Sequence, residues 1–367
     1  MDNLKTEEIV ETLSKNLKRI EDKDFSIYFF VIDTNGSPVA SVSNIYDHVK
    51  ALNELGYKAC VLHEKNEYME KQIGFIKDWL GDEYSSLPHV SIEDKDVKIN
   101  MVDFIIIPEL FANVMEQTSN LPGKRIVLCQ SYDYITETLE PGKKWSDYGI
   151  NDCITTTEKQ KEYIDKLFPN NLNTMVIPVS VDGRFKKTEE PKKPTIAILT
   201  RDQRDTVKIF KTFYLKYPHL KWITFRDMRG MTKNVFSEAL KESCVSVWVD
   251  DISGFGTFPL ESMACDTPVI GKLPNLANGW ITEKNGMWVD SSTIIPDLLA
   301  QYIQAWLEDS VPTDMLSEMD TTVSEYTTKV QKEKIESVYS TIIANRVDEI
   351  TKTLDKYEVN NLEEKNN

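Results

Sequence analysis

DDISGFGTFPLESMACDTPVIGKLPNLANGWITEKNGMWVD, residues 250–290, is the stretch whose reading decides the fold. The run just ahead of it, VSVWV at 245–249, has the unbroken apolar character of a buried parallel strand. It leads into a glycine-rich turn, Ser253-Gly254-Phe255-Gly256-Thr257, and then a helix with Glu261 in its first turns. Asp266-Thr267-Pro268 ends that helix, and Val269-Ile270-Gly271 reads as the next strand. Glycines in a strand-to-helix turn let backbone N–H groups approach a ligand closely. The helix N-terminus behind them favours negative charge. A carboxylate one turn further along can accept hydrogen bonds from sugar hydroxyls. The combination suits a nucleotide diphosphate linked to a sugar.

The same alternation of strand and helix extends outward in both directions. Toward the N-terminus, apolar runs at 25–33 (FSIYFFVID), 57–63, 102–108, 124–130, 152–157 and 173–178 read as strands, with a helix at about 42–55 ended by Gly56. Residues 1–24 read as an amphipathic helix. EEPKKP at 189–194 is charged, proline-rich and without period, which marks a linker. Beyond it the alternation restarts, with strands at 195–200, 221–225 and 245–249 and helices at 207–217 and 233–243. The pattern predicts an α/β chain of two Rossmann-like, doubly wound domains. Residues 1–188 form the first and 189–320 the second. From about 321 to 358 the spacing of Tyr326, Val330, Ile335, Val338, Tyr339 and Ile342 is helical, and 359–367 reads as a disordered polar tail.

Arg201 and Arg204 directly follow the 195–200 strand, where open α/β sheets bind ligands and where guanidinium forks match phosphate oxygens. The order GFG-x-x-x-LE-x-M-A-C-x-TPVI across 254–270 resembles the donor-site signature of retaining glycosyltransferases with the GT-B fold, of the family 4 type. That resemblance implies two domains facing a cleft and a C-terminal helix crossing back onto the first domain. It implies that Gly254, Phe255, Gly256 and Thr257 approach the donor and that Glu261 binds its ribose. The family carries a second glutamate eight positions earlier, which here falls on Ser253; Asp251 is the nearest carboxylate that could stand in for it. Arg201 matches the family's diphosphate arginine, and the second cation falls to Arg204 or Lys208, because the usual Lys-Gly is missing. Arg226 lies in the loop expected near the nucleotide base.

On the acceptor side the resemblance points to the Gly36-Ser37 turn, although a plain strand-to-helix turn fits it equally well. Gln130 and Tyr132 match a Gln-x-Tyr variant of the loop where many members place a histidine, and a structural role fits them as well. Trp280 is a candidate for stacking on a sugar ring, against the more common fate of tryptophan in a core. The pair Asp250-Asp251 is similar to the metal-binding carboxylates of GT-A enzymes, but the GT-B pattern places arginines and helix N-termini in that role. No metal and no cofactor is expected, the donor being a UDP- or GDP-linked sugar used as substrate.

Composition sets the outer bounds. The 367 residues are enough for two cores, and no run of about 18 apolar residues suggests a membrane span. The five cysteines, Cys60, Cys129, Cys153, Cys244 and Cys265, are scattered within apolar runs and read as reduced thiols; with no apolar leader in the first residues, a cytoplasmic location is expected. The net charge of −16 disfavours an unspecific grip on nucleic acid. It is uneven: residues 184–233 hold 14 Lys and Arg against 5 Asp and Glu, a net of +9, which leaves −25 for the remainder. The basic segment reads either as an anion site or as a solvated face. The expectation is a glycosyltransferase that moves a sugar from a nucleotide donor to a glycan or other hydroxyl acceptor, with retention and without metal. The alternatives are a phage-type enzyme acting on nucleic-acid bases and a non-catalytic nucleotide-sugar-binding protein.

Overall fold

The computed structural model describes residues 2–366 apart from 171, 253 and 254, with side chains described between 7 and 359. Ser253 and Gly254, both expected at the donor site, therefore lie outside the described residues. The first sheet is built from β1 (Ser26–Phe30), β2 (Lys58–His63), β3 (His89–Ser91), β4 (Phe104–Pro108), β5 (Lys124–Cys129), β6 (Asp152–Thr155) and β7 (Asn173–Val176). Its order is β3-β2-β1-β4-β5-β6-β7, with every pair parallel. Between these strands run α1 (Asp2–Glu21), α2 (Ala40–Glu54), α3 (Asn66–Trp79), α4 (Asp82–Ser85), α5 (Ala112–Gln117), α6 (Asp133–Thr138) and α7 (Glu158–Leu167).

The second sheet contains β8 (Lys193–Thr200), β9 (Thr224–Asp227), β10 (Ser243–Val249), β11 (Val269–Lys272) and β12 (Met287–Val289), in the order β12-β11-β10-β8-β9 and again parallel throughout. Its helices are α8 (Gln203–Lys216), α9 (Lys233–Glu242), α10 (Thr257–Ala264), α11 (Ile295–Leu307) and α12 (Thr313–Ser324). Apolar side chains leave both faces of each sheet. In the first, Ile27, Phe29 and Ile106 pack with α2 on one side, while Ile105, Ile107 and Val127 pack with Met115 and Trp145 on the other. This burial of both faces is why the strands read as continuous apolar runs.

The last helix, α13 (Thr328–Asn366), returns to the first domain: Ile335, Tyr339, Ile342 and Ile350 enter the core that holds Phe29, Val49 and Leu13. The crossing starts at 328 rather than 321, because α12 first ends on α10 and the chain pairs Val181 with Thr327. Helix α13 runs on to Asn366, across the stretch expected to be a tail.

Four strand readings shift. β3 and β12, three residues each, were too short to register as apolar runs. β9 starts at Thr224 rather than 221, because Pro218–Leu220 winds into a 3₁₀ turn first. β8 begins inside the expected linker at Lys193, with Pro194 near the strand start, where a missing N–H is tolerated.

Candidate functional site

The C-terminal ends of the two sheets face one another across a cavity of about 240 Å³. Val39, Ala40 and Ser41 reach it from beyond β1, Glu109 and Leu110 from β4, and Gln130, Ser131 and Tyr134 from β5. From the opposite side come Arg201 after β8, Asp250 and Ile252 after β10, and Phe255 and Thr257 at the start of α10. Strand ends gather ligand-binding groups because each parallel crossover delivers its loop to the same edge.

Arg201 spans the cleft. Its guanidinium donates to the Tyr134 hydroxyl at 2.7 Å, and it pairs with Asp250 at 3.4 Å. Ser131 also crosses the gap, its hydroxyl donating to the Ile252 carbonyl at 3.3 Å. Gly256 is the N-cap residue of α10, with φ +77°. A Cβ at this position would meet Trp248 and Trp280 at 3.1 Å, so both the backbone angle and the packing require glycine. The first turn of α10 thus presents backbone donors and the positive end of the helix dipole beside Arg201, an arrangement that favours an anion.

Gln130 is held on three sides. It accepts from Asn44 at 2.9 Å, donates to the Ser41 carbonyl at 3.1 Å, and its own carbonyl accepts from Gln160 at 3.2 Å. Glu109 is buried in the cavity wall. One carboxyl oxygen accepts from the Ser131 N–H at 2.7 Å and the other has no hydrogen-bond partner among the described residues. Burial pushes this carboxyl up to about 7, against the pull of the backbone N–H groups around it.

Glu261 is buried behind Thr257 and is not open to this cavity. Its Oε1 accepts from Lys233 Nζ at 2.6 Å, with the two side chains 5% and 15% exposed. Burial raises its carboxyl, and Lys233 opposes that rise. Lys233 faces a constriction that shares Ala40, Val179 and Thr257 with the main cavity and adds Asp47, Tyr84 and Asp182. Beyond it lies a wider groove of about 780 Å³, walled by α2, the start of α13 and residues 182–184 instead of by strand ends, with lysines and carboxylates interspersed.

The structure brings Arg201, Phe255, Gly256, Thr257 and Gln130 to one place, but it spreads the other expected site residues elsewhere. Arg204 points to solvent, 83% exposed, and pairs with its neighbour Asp202; Lys208 is 74% exposed beside Asp205. Arg226 lies on the edge strand β9 and pairs with Glu242 at 3.1 Å. Gly36 and Ser37 are exposed in a turn where Asn35 and Gly36 both adopt positive φ, short of the cavity that the next residues line. Tyr132 turns away onto Tyr163 at 5.3 Å, and Tyr134 fills the place beside Arg201. Trp280 is 6% exposed, and its indole N–H donates to the Phe255 carbonyl at 3.0 Å; it supports the glycine turn from beneath instead of offering a stacking face. Asp251 pairs with Lys272 at 2.5 Å. No three His, Cys, Asp or Glu side chains among the described residues stand together as a metal-binding group.

Glu109 and Tyr134 escaped sequence reading. The signal for Glu109 was a lone carboxylate at the end of the apolar run FIIIP, where a strand-end ligand group belongs. Tyr134 carried none, because its direction depends on the turn that starts α6.

No family model and no curated protein matches the chain in sequence. Solved structures do match in fold. Sucrose-phosphate synthase from Thermosynechococcus elongatus superposes with a TM-score of 0.60 at 10% identity, over 87% of this chain and 99% of that one. A glycosyltransferase from Rickettsia africae gives 0.60 at 11% identity, over 88% and 99%. HepE of Anabaena, solved with UDP, gives 0.52 at 12% identity, over 86% and 99%. The chain has the GT-B fold: two Rossmann-like domains around a cleft, with a C-terminal helix crossing back.

Proposed function

We propose that the chain transfers a sugar from a nucleotide-diphosphate donor to a hydroxyl acceptor in the cleft between its two domains. The observation that carries this reading is the meeting of Arg201 with the glycine-capped start of α10 in a cavity whose far wall is Glu109, Gln130, Ser131 and Tyr134. One side is built for a diphosphate, and the other offers hydroxyl and amide groups to a second substrate. The fold likeness supports the same division, since HepE was solved with UDP in this architecture. The donor is a UDP- or GDP-linked sugar.

The chemistry follows from charge. As the glycosidic bond to the diphosphate breaks, negative charge builds on the leaving β-phosphate. Arg201 and the α10 backbone donors interact more strongly with that charge than with the bound donor, and so lower the barrier. These groups supply the positive charge without a metal, and Asp250 and Asp251 are already engaged by Arg201 and Lys272. In the retaining course proposed here, a departing phosphate oxygen takes the acceptor proton on the face the sugar leaves. Glu261 acts on the donor through Lys233, which stands between it and the constriction beside Thr257.

The test is a thermal-shift screen of nucleotide sugars followed by turnover on the hits, since a specific donor stabilises the folded state by mass action. Stabilisation by one nucleotide class, and release of that nucleotide diphosphate without added metal, supports the reading. Tight binding without any turnover would make the chain a binding protein, and turnover that requires manganese or magnesium would overturn the metal-independent mechanism.

A further inference from the structure

From the outer face of α8 and the adjoining segment before β9, we infer that this protein docks peripherally on an anionic membrane surface. Helix α8 needs only its inner face to fold: Ile209 and Phe213 are buried in the second domain's core. Its outer face nevertheless carries Val207 and Leu215, 41% and 82% exposed, in one stripe with Lys208 and Lys211, because positions three and four apart share a helix face. The Tyr214 hydroxyl donates to the Ile223 carbonyl, which brings Trp222, 48% exposed, alongside the last turns of the helix. Lys211 and the neighbouring Lys221 have no ion-pair partner among the described residues. The result is an apolar strip edged by unpaired cations on a chain whose net charge is −16.

That combination fits a bilayer better than other partners. Leucine, valine and tryptophan seat at the boundary between headgroups and acyl chains, while lysine stems lie along the apolar surface with their ammonium groups in the headgroup layer. Anionic lipid attracts such lysines, and the attraction is screened by salt. A single-stranded nucleic acid would use Trp222 and the lysines, but exposed Leu215 and Val207 offer nothing to a base or a phosphate. No described helix is long and apolar enough to cross a membrane, and the docking inferred here is peripheral. The N-terminal end of α8 starts two residues after Arg201, and the strip runs from there to the far end of the helix, where Leu215 and Trp222 lie. The strip also explains the basic segment that the diphosphate site leaves largely unused: of the charges on α8, none lines the cleft cavity. The inference stands apart from sugar transfer and does not depend on it.

Flotation of the full chain with vesicles tests it. Phosphatidylglycerol–phosphatidylcholine vesicles should carry the protein up the gradient, pure phosphatidylcholine should not, and raising salt from about 0.05 M to about 0.5 M should release it. Lys211→Gln with Lys221→Gln should weaken partitioning about 30-fold. Leu215→Glu should abolish it. Brominated lipid should quench the wild-type protein more than Trp222→Phe. All these side chains are exposed, so each variant should melt with the wild type and bind nucleotide as the wild type does. Failure to float on anionic vesicles, or flotation unaffected by Leu215→Glu, overturns the proposal. So does an oligonucleotide that binds through Lys211 and Lys221, is indifferent to Leu215→Glu and displaces the vesicles.

Discussion

The buried pair Lys233–Glu261 gives a prediction that separates its structural role from the donor binding proposed for it. At 2.6 Å and an effective dielectric constant of about 20, the gross attraction is on the order of 6 kcal/mol, most of it cancelled by the cost of removing both charges from water. Breaking such a pair from one side is nonetheless expensive. Glu261→Ala strands the Lys233 ammonium, but Asp182 also faces that lysine, so the expected loss is about 3 kcal/mol, the lower end for a buried pair. Lys233→Met strands the carboxylate, which can escape by taking up a proton. Its folded pKa, already raised by burial, then rises further. A carboxyl whose folded pKa is raised stabilises the folded state at low pH and loses that contribution as pH rises, so Lys233→Met should cost about 3 kcal/mol at pH 7.5 and clearly less at pH 5. The double variant Lys233→Met/Glu261→Leu should return to within about 1 kcal/mol of wild type, giving a coupling of about 5 kcal/mol at pH 7.5. Urea unfolding at both pH values measures all four corners, and titration with the nucleotide found in the screen reads the donor site in parallel. Single losses that simply add in the double variant, or a Lys233→Met cost that is the same at both pH values, would refute the argument. Stability restored in the double variant without nucleotide affinity would give the pair a donor contact separate from its structural role.

Further outcomes follow from the same geometry. Arg201→Ala should lower kcat about 100-fold with the fold intact, whereas Arg204→Ala should change it less than about twofold, in steady-state transfer assays. Gly256→Ala forces a side chain into the left-handed region and against two tryptophans, so it should lower stability by about 2 kcal/mol and weaken nucleotide binding together, read by urea melts and calorimetry. His48 is buried beside Phe29 and Tyr339 with neither ring nitrogen partnered among the described residues, and burial holds it down to about 3. A base held neutral in the fold stabilises above its unfolded pKa of about 6.5 and loses that contribution as pH falls toward 3, so His48→Phe should flatten the fall in stability between about pH 6.5 and pH 4, removing up to about 2 kcal/mol of it at pH 5. An unchanged slope would mean that His63 and His89, also pushed down by burial, to about 3 and about 4, carry the acid sensitivity.

Two kinds of information separate when the sequence is set beside the fold. Unbroken runs such as FSIYFFVID and VSVWV, each followed by a turn and a helical period, determined two parallel sheets with both faces covered, because backbone choice follows local apolar pattern. The residues around Gly256 likewise marked the strand-to-helix turn ahead of α10, because a helix start with positive φ and no room for a Cβ leaves glycine as the residue that fits. The direction of side chains at strand ends was not legible. Arg201 and Arg204 are three residues apart and chemically alike, yet one spans the cleft to Tyr134 while the other turns out to Asp202, because the first leaves the strand end and the second sits on the helix's outer face. Trp280 is drawn under the glycine turn by the carbonyl of Phe255, which accepts from its indole and from the Asn278 amide. Glu261 and Lys233, 28 positions apart, meet only because α9 and α10 pack together, and Glu109 joins the cleft wall only because β4 and β5 lie side by side. Local pattern fixes the backbone path. Which charges end up buried together is decided by contacts between segments that carry no mutual signal in the sequence.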